Sequence, residues 1–282
     1  MPLKDILVHL DATPRCATRL QLAVALARQH DAHLIGLHVV DTVLPVMALA
    51  DGGGGGALLG DLIEQLRQEG LAAAAGVEAE FRETLRREAI NGEWRLVEGS
   101  LPDTMALHAR YADLAVLSQR DPDDAASGAG LAVEQVLFAG GRPVLMVPYA
   151  GTFETIGRRV LVGWNASRES ARAVADALPI LAAAERVTIL AVTAAAVATP
   201  QGEEPGADIA LHLARHGVPA TVLHMTAAGL PDAEVLLNQA SEQAADLIVV
   251  GAYGHSRLRE WALGGVTRTL LQSMTVPVLL SH

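Results

Sequence analysis

The residues best placed to do chemistry run DLIVVGAYGHSRLREWALGGVTRT, 246–269. An apolar run at 247–250 reads as a buried strand that delivers the backbone to Gly251. After Gly264 and Gly265 a helix is expected to begin and to run to about Met274. A strand, a glycine-bearing loop and a helix start make an anion cradle. The first amides of a helix have no partner within it, and glycine lets a phosphate come close to the main chain. The glycines are spaced G-x2-G-x9-G-G, which is neither a Walker A loop nor the GxGxxG turn of a dinucleotide fold.

Other candidates are weaker. Asp208, His212 and His216 fall at i, i+4 and i+8 of an expected helix, a spacing able to hold a metal. They lie opposite Ile209 and Leu213, however, so a solvent-facing stripe is expected. Cys16 is the single cysteine, and no spacing to His9 or His38 supports a thiol nucleophile, so an inert, half-buried thiol is expected. There is no GxSxG elbow and no HExxH. Trp164 either stacks on a base or fills a cleft.

The elements that must hold the cradle come in two copies. Residues 4–11, KDILVHLD, are echoed by 158–165, RRVLVGWN; YADLAVLS (111–118) by AADLIVVG (244–251); and RPVLMVP (142–148) by VPVLLSH (276–282). The copies are 154 residues apart at Asp11 and Asn165, 133 at Asp113 and Asp246, and 134 at Pro143 and Pro277. About 20 residues are therefore missing between the first and third landmarks of the second copy. Short β-rich runs at 6–10, 34–40, 93–97, 114–117 and 144–147 alternate with helix-like stretches such as 18–29 and 102–111. The second copy repeats the strands at 160–163, 187–192, 220–224, 247–250 and 278–280. Continuous apolar strands alternating with helices predict an α/β fold in two tandem domains, each an open five-stranded parallel sheet with helices on both faces. The expected domains are 1–150 and 158–282, joined by a linker at 151–157. The run DGGGGG at 51–56 is expected to be a loop, with a lid over a site as the alternative.

Composition agrees. A chain of 282 residues, 51% hydrophobic and 19% charged, has enough apolar side chains for two cores. A net charge of −11 argues against a general binder of nucleic acid or of anionic membranes. No apolar run is long enough to span a bilayer, nothing at the N-terminus resembles a signal peptide, and a cytoplasmic protein is expected.

On its glycine-spaced loop after ADLIVVG, and on the twofold repetition of the whole pattern, the chain resembles the universal stress protein family in its tandem form. Nucleotide-binding members carry G-x2-G-x9-G-[ST] here and bind ATP beside the first strand. The resemblance implies an open Rossmann-like sheet and ATP or a related adenine nucleotide, with magnesium, in the second domain. Gly251, Gly254, His255, Gly264, Gly265, Val266 and Thr267 would surround the phosphates, with Asn165 near the ribose and Val192 near the base. Two departures stand out. Gly265 replaces the Ser or Thr, a loss of about 1 kcal/mol or roughly five-fold in affinity. Asn165 replaces the Asp, which the first copy keeps as Asp11.

In the first copy Ser118 stands for Gly251, Asp121 for Gly254 and Gly130 for Gly264, and Asp121, Asp123 and Asp124 bring the wrong charge for phosphate. That domain is expected to be a degenerate partner. The nucleotide is expected to be a regulatory ligand, because no general base or nucleophile is evident. A ligand-free scaffold and a slow ATP hydrolase are the alternatives. In the family's strand order, 3-2-1-4-5, the apolar last strands are sheet edges. They are expected to pair antiparallel, within the chain or with a second copy to give a homodimer.

Overall fold

A computed structural model describes residues 2–41, 56–122, 129–193, 205–226, 230–253 and 265–282. The chain divides into two compact units, Pro2–Val144 and Leu145–His282.

The first unit contains β1 (Asp5–His9), α1 (Cys16–His30), β2 (His33–Val40), α2 (Gly56–Glu88), β3 (Gly92–Glu98), α3 (Leu101–Ala109), β4 (Leu114–Ser118) and α4 (Ala129–Gln135). A π-helical turn, Val136–Gly140, follows α4 and leads to β5 (Val144–Val147). The second unit contains β6 (Arg159–Trp164), α5 (Arg168–Ala183), β7 (Arg186–Thr193), α6 (Ala207–Arg215), β8 (Ala220–Thr226), α7 (Asp232–Glu242), β9 (Leu247–Gly251), α8 (Gly265–Ser273) and β10 (Val278–Ser281). The DGGGGG run lies outside the described residues except for Gly56, which opens α2 instead of closing a loop.

Strands run β3-β2-β1-β4 in the first unit and β10-β9-β6-β7-β8 in the second. The pairs β1/β2, β1/β4, β2/β3, β6/β7, β6/β9, β7/β8 and β9/β10 are all parallel. In each unit the chain steps outward twice from its first strand, then returns to the other side of it. Right-handed crossovers in the two directions place helices on opposite faces: α5 and α6 on one, α7 and α8 on the other. With both faces covered, the central strands are buried along nearly their whole length. Ile6, Leu7, Val8, Leu247, Ile248 and Val249 are each 0% exposed, and each such side chain contributes about 1.5–3 kcal/mol of hydrophobic stabilisation. Strands β3 and β8, each the last reached by the outward steps of its unit, instead mix half-buried and exposed residues, which continuous apolar runs did not lead us to expect.

The landmark Asp of each ADL segment has a structural task. Asp113 Oδ2 accepts the amides of Lys4 (2.7 Å) and Asp5 (3.1 Å). Asp246 accepts the amides of Arg159 (2.9 Å) and Arg158 (3.2 Å) and the hydroxyl of Thr155 (2.6 Å). In both copies a carboxylate at the entry of the fourth strand therefore clasps the entry of the first, satisfying amides that the sheet leaves open. The repeat is legible at these positions because the fold needs the same clasp twice.

Candidate functional site

In doubly wound sheets ligands bind at the carboxyl ends of the strands, where the strand order reverses. In the second unit that point lies between β6 and β9, and a cavity of about 130 Å³ opens there. Its floor is apolar, made by Leu190, Val192, Leu236 and Val250. Its walls come from the end of β6 with the turn after it, from the starts of α5 and α7, and from Gly251, Tyr253, Val266 and Thr267.

The expected site residues Asn165, Val192, Gly251, Val266 and Thr267 meet at this one cavity. Gly265 is the first residue of α8, immediately before them. Gly254, His255 and Gly264 lie outside the described residues, as do Asp123 and Asp124 of the first copy. Sequence reading did not single out Gly163, Ser167, Ser170, Leu190, Asp232, Leu236, Val250 or Tyr253. A glycine inside a strand pattern was the available signal for Gly163, since it marks a close approach.

Each wall is held by local chemistry. Asn165 Oδ1 accepts the amide of Ser167 (3.1 Å), an Asx turn that ends β6. Ser167 then caps α5, its Oγ accepting the amide of Ser170 (3.1 Å). The oxygen of Asn165 is thus used within the chain. Thr267 is buried, and its Oγ1 accepts the amide of Tyr253 (3.4 Å), tying the end of β9 to the first turn of α8. Accepting that bond leaves the hydroxyl proton to be donated elsewhere. The Tyr253 segment is also fixed from β10: the Ala252 amide donates to Ser281 O (2.8 Å), and the Ala252 carbonyl lies 3.0 Å from His282 Nδ1.

Gly251 has a packing role that the sequence did not show. A Cβ there would lie 2.4 Å from both Glu169 C and Ser170 N, main-chain atoms at the start of α5. Its missing side chain makes room for the helix, so α5 rests directly on β9 and brings Ser167 and Ser170 to the cleft. A Cβ on Gly163 would meet Val250 Cγ1 at 2.8 Å and Leu236 Cδ2 at 3.1 Å, inside the cavity wall.

Left-handed backbone at non-glycine residues falls into two groups. Asp31 and Ala89 directly follow helices α1 and α2, and Ala244 lies two residues past the end of α7, where such a turn is common. Ala166 (φ 56°) and Tyr253 (φ 61°) instead border the cleft, at about 1–2 kcal/mol of strain each. Strain of this kind gathers at ligand sites.

Charge is distributed unevenly around the cavity. The first turn of α7 carries Asp232 and Glu234. The first turn of α8 carries no acidic residue and includes Arg268. At the start of α5, burial works against the charge of the Glu169 carboxyl, yet bonding to the Arg168 guanidinium leaves its pKa below the ordinary value. Of the helix starts at the cleft, that of α8 is thus the one without an acidic residue.

Strand register identifies the matching positions in the first unit. Ile6 faces Leu114 as Val160 faces Leu247, and His9 faces Leu37 as Gly163 faces Leu190. His9 thus stands where Gly163 does, and Ser118 where Gly251 does. The Asx turn recurs unchanged, with Asp11 Oδ1 accepting the Thr13 amide at 3.1 Å. The other candidates from sequence do not gather into sites. His212 and His216 pack ring to ring at 4.7 Å on an exposed face, opposite buried Ile209 and Leu213. No cluster of three or more metal-ligating side chains occurs among the described residues. Cys16 is buried, and burial pushes its thiol pKa up. No helix among the described residues is long and apolar enough to cross a membrane.

The family model for universal stress proteins matches residues 2–134 and again 157–282. Among solved structures, a universal stress protein from Archaeoglobus fulgidus DSM 4304 superposes with a TM-score of 0.72 at 16% identity, covering 98% of this chain and 95% of that one. A functionally unknown protein from Pseudomonas aeruginosa PAO1 superposes with a TM-score of 0.54 at 17% identity, covering 99% and 92%. No curated protein matches the sequence. With nearly the whole chain matched in two consecutive segments on a doubly wound fold, the protein belongs to the universal stress protein family, in tandem form.

Proposed function

We propose that the second domain binds ATP or a related adenine nucleotide, and that the nucleotide acts as a regulatory ligand. The observation that carries this reading is the polarity of one cleft: an apolar floor of Leu190, Val192, Leu236 and Val250 at one end and the acid-free start of α8 at the other. A flat, apolar-faced base suits the floor. Phosphates suit the helix start, where the amides of the first turn, the Thr267 hydroxyl and Arg268 gather positive potential. The acidic first turn of α7 disfavours them on its own side of the cleft. Asn165 at the end of β6 lies between the two ends, where a ribose hydroxyl would meet its amide. Magnesium would travel with the triphosphate.

Mass spectrometry of small molecules released from the purified protein tests the ligand, followed by calorimetry with ATP, ADP, cyclic AMP and GTP in the presence of magnesium. Adenine nucleotides are expected to bind and GTP to bind more weakly. Absence of any copurified nucleotide, together with no heat at millimolar ATP, would overturn the assignment in favour of a scaffold that works through protein contacts.

A further inference from the structure

Among the described residues the largest fully buried side chain is an arginine, Arg19, in the first domain. Counting from the shared Asx turn, Asp11-Ala-Thr-Pro-Arg-Cys-Ala-Thr-Arg19 aligns without a gap on Asn165-Ala-Ser-Arg-Glu-Ser-Ala-Arg-Ala173. Arg19 therefore stands at the position of Ala173, which is itself buried. Its guanidinium meets three acceptors from three segments: Nε donates to the His9 carbonyl at the end of β1, Nη1 to the Ser118 hydroxyl at the end of β4, and Nη2 pairs with Asp11 Oδ1 at 2.9 Å. The ends of β1 and β4 are the point where the strand order reverses in this domain, the place occupied by the open cleft in the other.

We propose that the first domain contains a guanidinium-binding site that its own Arg19 fills, so that the side chain takes the volume and the acceptors an incoming ligand would use. The site is built rather than incidental. A buried cation needs an opposing charge and hydrogen-bond acceptors; Asp11 supplies the charge, and Ser118 and the His9 carbonyl supply the acceptors. Two replacements make the fit. Ser118, where the other copy has Gly251, adds the hydroxyl. It also goes with a changed helix start: α1 begins at Cys16, two positions later than α5 by the same alignment, and its N-cap Arg15 makes no side-chain cap. His9, where the other copy has Gly163, adds a ring 3.6 Å from Asp11 Oδ2. Burial, with Arg19 and His38 nearby, keeps that ring neutral at ordinary pH, so Asp11 remains free to pair with the arginine. The seat lies wholly within the first domain and is independent of any nucleotide in the second.

The test uses Arg19→Ala in the full chain, with methylguanidinium as probe. The variant should unfold on the order of 10 °C lower, because the half-buried Asp11 loses its partner and the room Arg19 filled is left empty. Methylguanidinium at millimolar concentration should then raise the midpoint saturably, by roughly several °C. Wild type and Arg19→Ala/Asp11→Asn should show no rise, and methylammonium should do less because it cannot span three acceptors. An equal response in wild type or in the double variant, or no saturable response in Arg19→Ala, would overturn the site. If Arg19→Ala does not fold, NMR of arginine-labelled wild type decides instead, with the Nε–H signal assigned by its loss in Arg19→Lys. That proton should be strongly protected from exchange and unmoved by ATP. Rapid exchange, or a shift on adding ATP, would show an open pocket rather than a filled one.

Discussion

Replacing Gly251 with alanine separates the role of this glycine in packing from a role in phosphate contact. The new Cβ would lie 2.4 Å from Glu169 C and Ser170 N and 2.8 Å from Glu169 O. Ordinary contact begins near 3.4 Å, so about 1 Å of separation has to be created. All three atoms are main chain at a helix start, and no rotamer change can move them. Overpacking of this kind costs about 1–3 kcal/mol, and the lower entropy of an unfolded alanine offsets about 0.5–1 kcal/mol of it. The net loss is about 1–2 kcal/mol, a fall of about 2–8 °C in the midpoint of a domain this size. Because α5 carries Ser167 and Ser170, its displacement also deforms the cleft wall, and ATP should bind at least about ten-fold more weakly. Thermal unfolding and calorimetry on the same preparation read both effects. A variant that melts within about 1 °C of wild type and binds ATP within two-fold would refute the wedge argument. Weakened binding with no loss of stability would return Gly251 to the role of a direct phosphate contact.

Three further outcomes are expected. His9 is held at about 4, below its ordinary 6.5, so the unfolded chain takes up a proton that the folded chain refuses. Stability present above pH 6.5 is then lost as pH falls toward 4, by about 3 kcal/mol, and denaturant titrations should show a flatter profile for His9→Gln over that range. Asp246→Ala removes the acceptor of two amides and the Thr155 hydroxyl, which should cost about 2 kcal/mol in equilibrium unfolding. A loss below about 0.5 kcal/mol would mean that water replaces the clasp. Gly265→Ser should tighten ATP about two- to ten-fold in calorimetry by adding a hydroxyl at the start of α8, whereas a serine variant that loses binding would show that the glycine serves close backbone approach.

Much of the fold was legible because its signals are local. Short β-rich runs bounded by helix-forming stretches gave the ten strands seen among the described residues, and the Asp113 and Asp246 clasps marked the repeat. Helix α2 was not anticipated, although the surplus of about 20 residues in the first copy pointed to its place. It has 33 residues where the matching α6 has 9, and its AAAA segment with Gly70 and Gly76 obscures any apolar period. At the site, sequence placed Asn165, Val192, Gly251, Val266 and Thr267 around one cavity, because each sits at a strand end or helix start whose position the topology dictates. It did not place Leu236, Asp232 or Ser170, which reach the cavity only through the packing of α5 and α7. Arg19 was invisible for the same reason. A charged residue on a helix is ordinarily expected at the surface, and the partner that helps bury this one, Ser118, is 99 residues away.

Asp11 illustrates why the residue at the end of the first strand is a poor guide to ligand binding in this fold. Both copies use that side chain first for the same internal purpose, accepting the amide two residues on at 3.1 Å, and either Asp or Asn meets the need. A carboxylate there is therefore compatible with a filled pocket, and its charge is what makes an internal arginine tolerable: despite burial, Arg19, His9 and Thr13 hold the Asp11 carboxyl down at about 2. The discriminating positions are one step back along the sheet. Where the ends of the first and fourth strands both carry glycine, as at Gly163 and Gly251, the helix settles onto the sheet and a cleft remains. Where they carry His9 and Ser118, side chains from the strands and from α1 converge on the same space. The copy that looks closer to the family at its aspartate is thus the one whose pocket is occupied, and the copy that has lost the aspartate is the one left open.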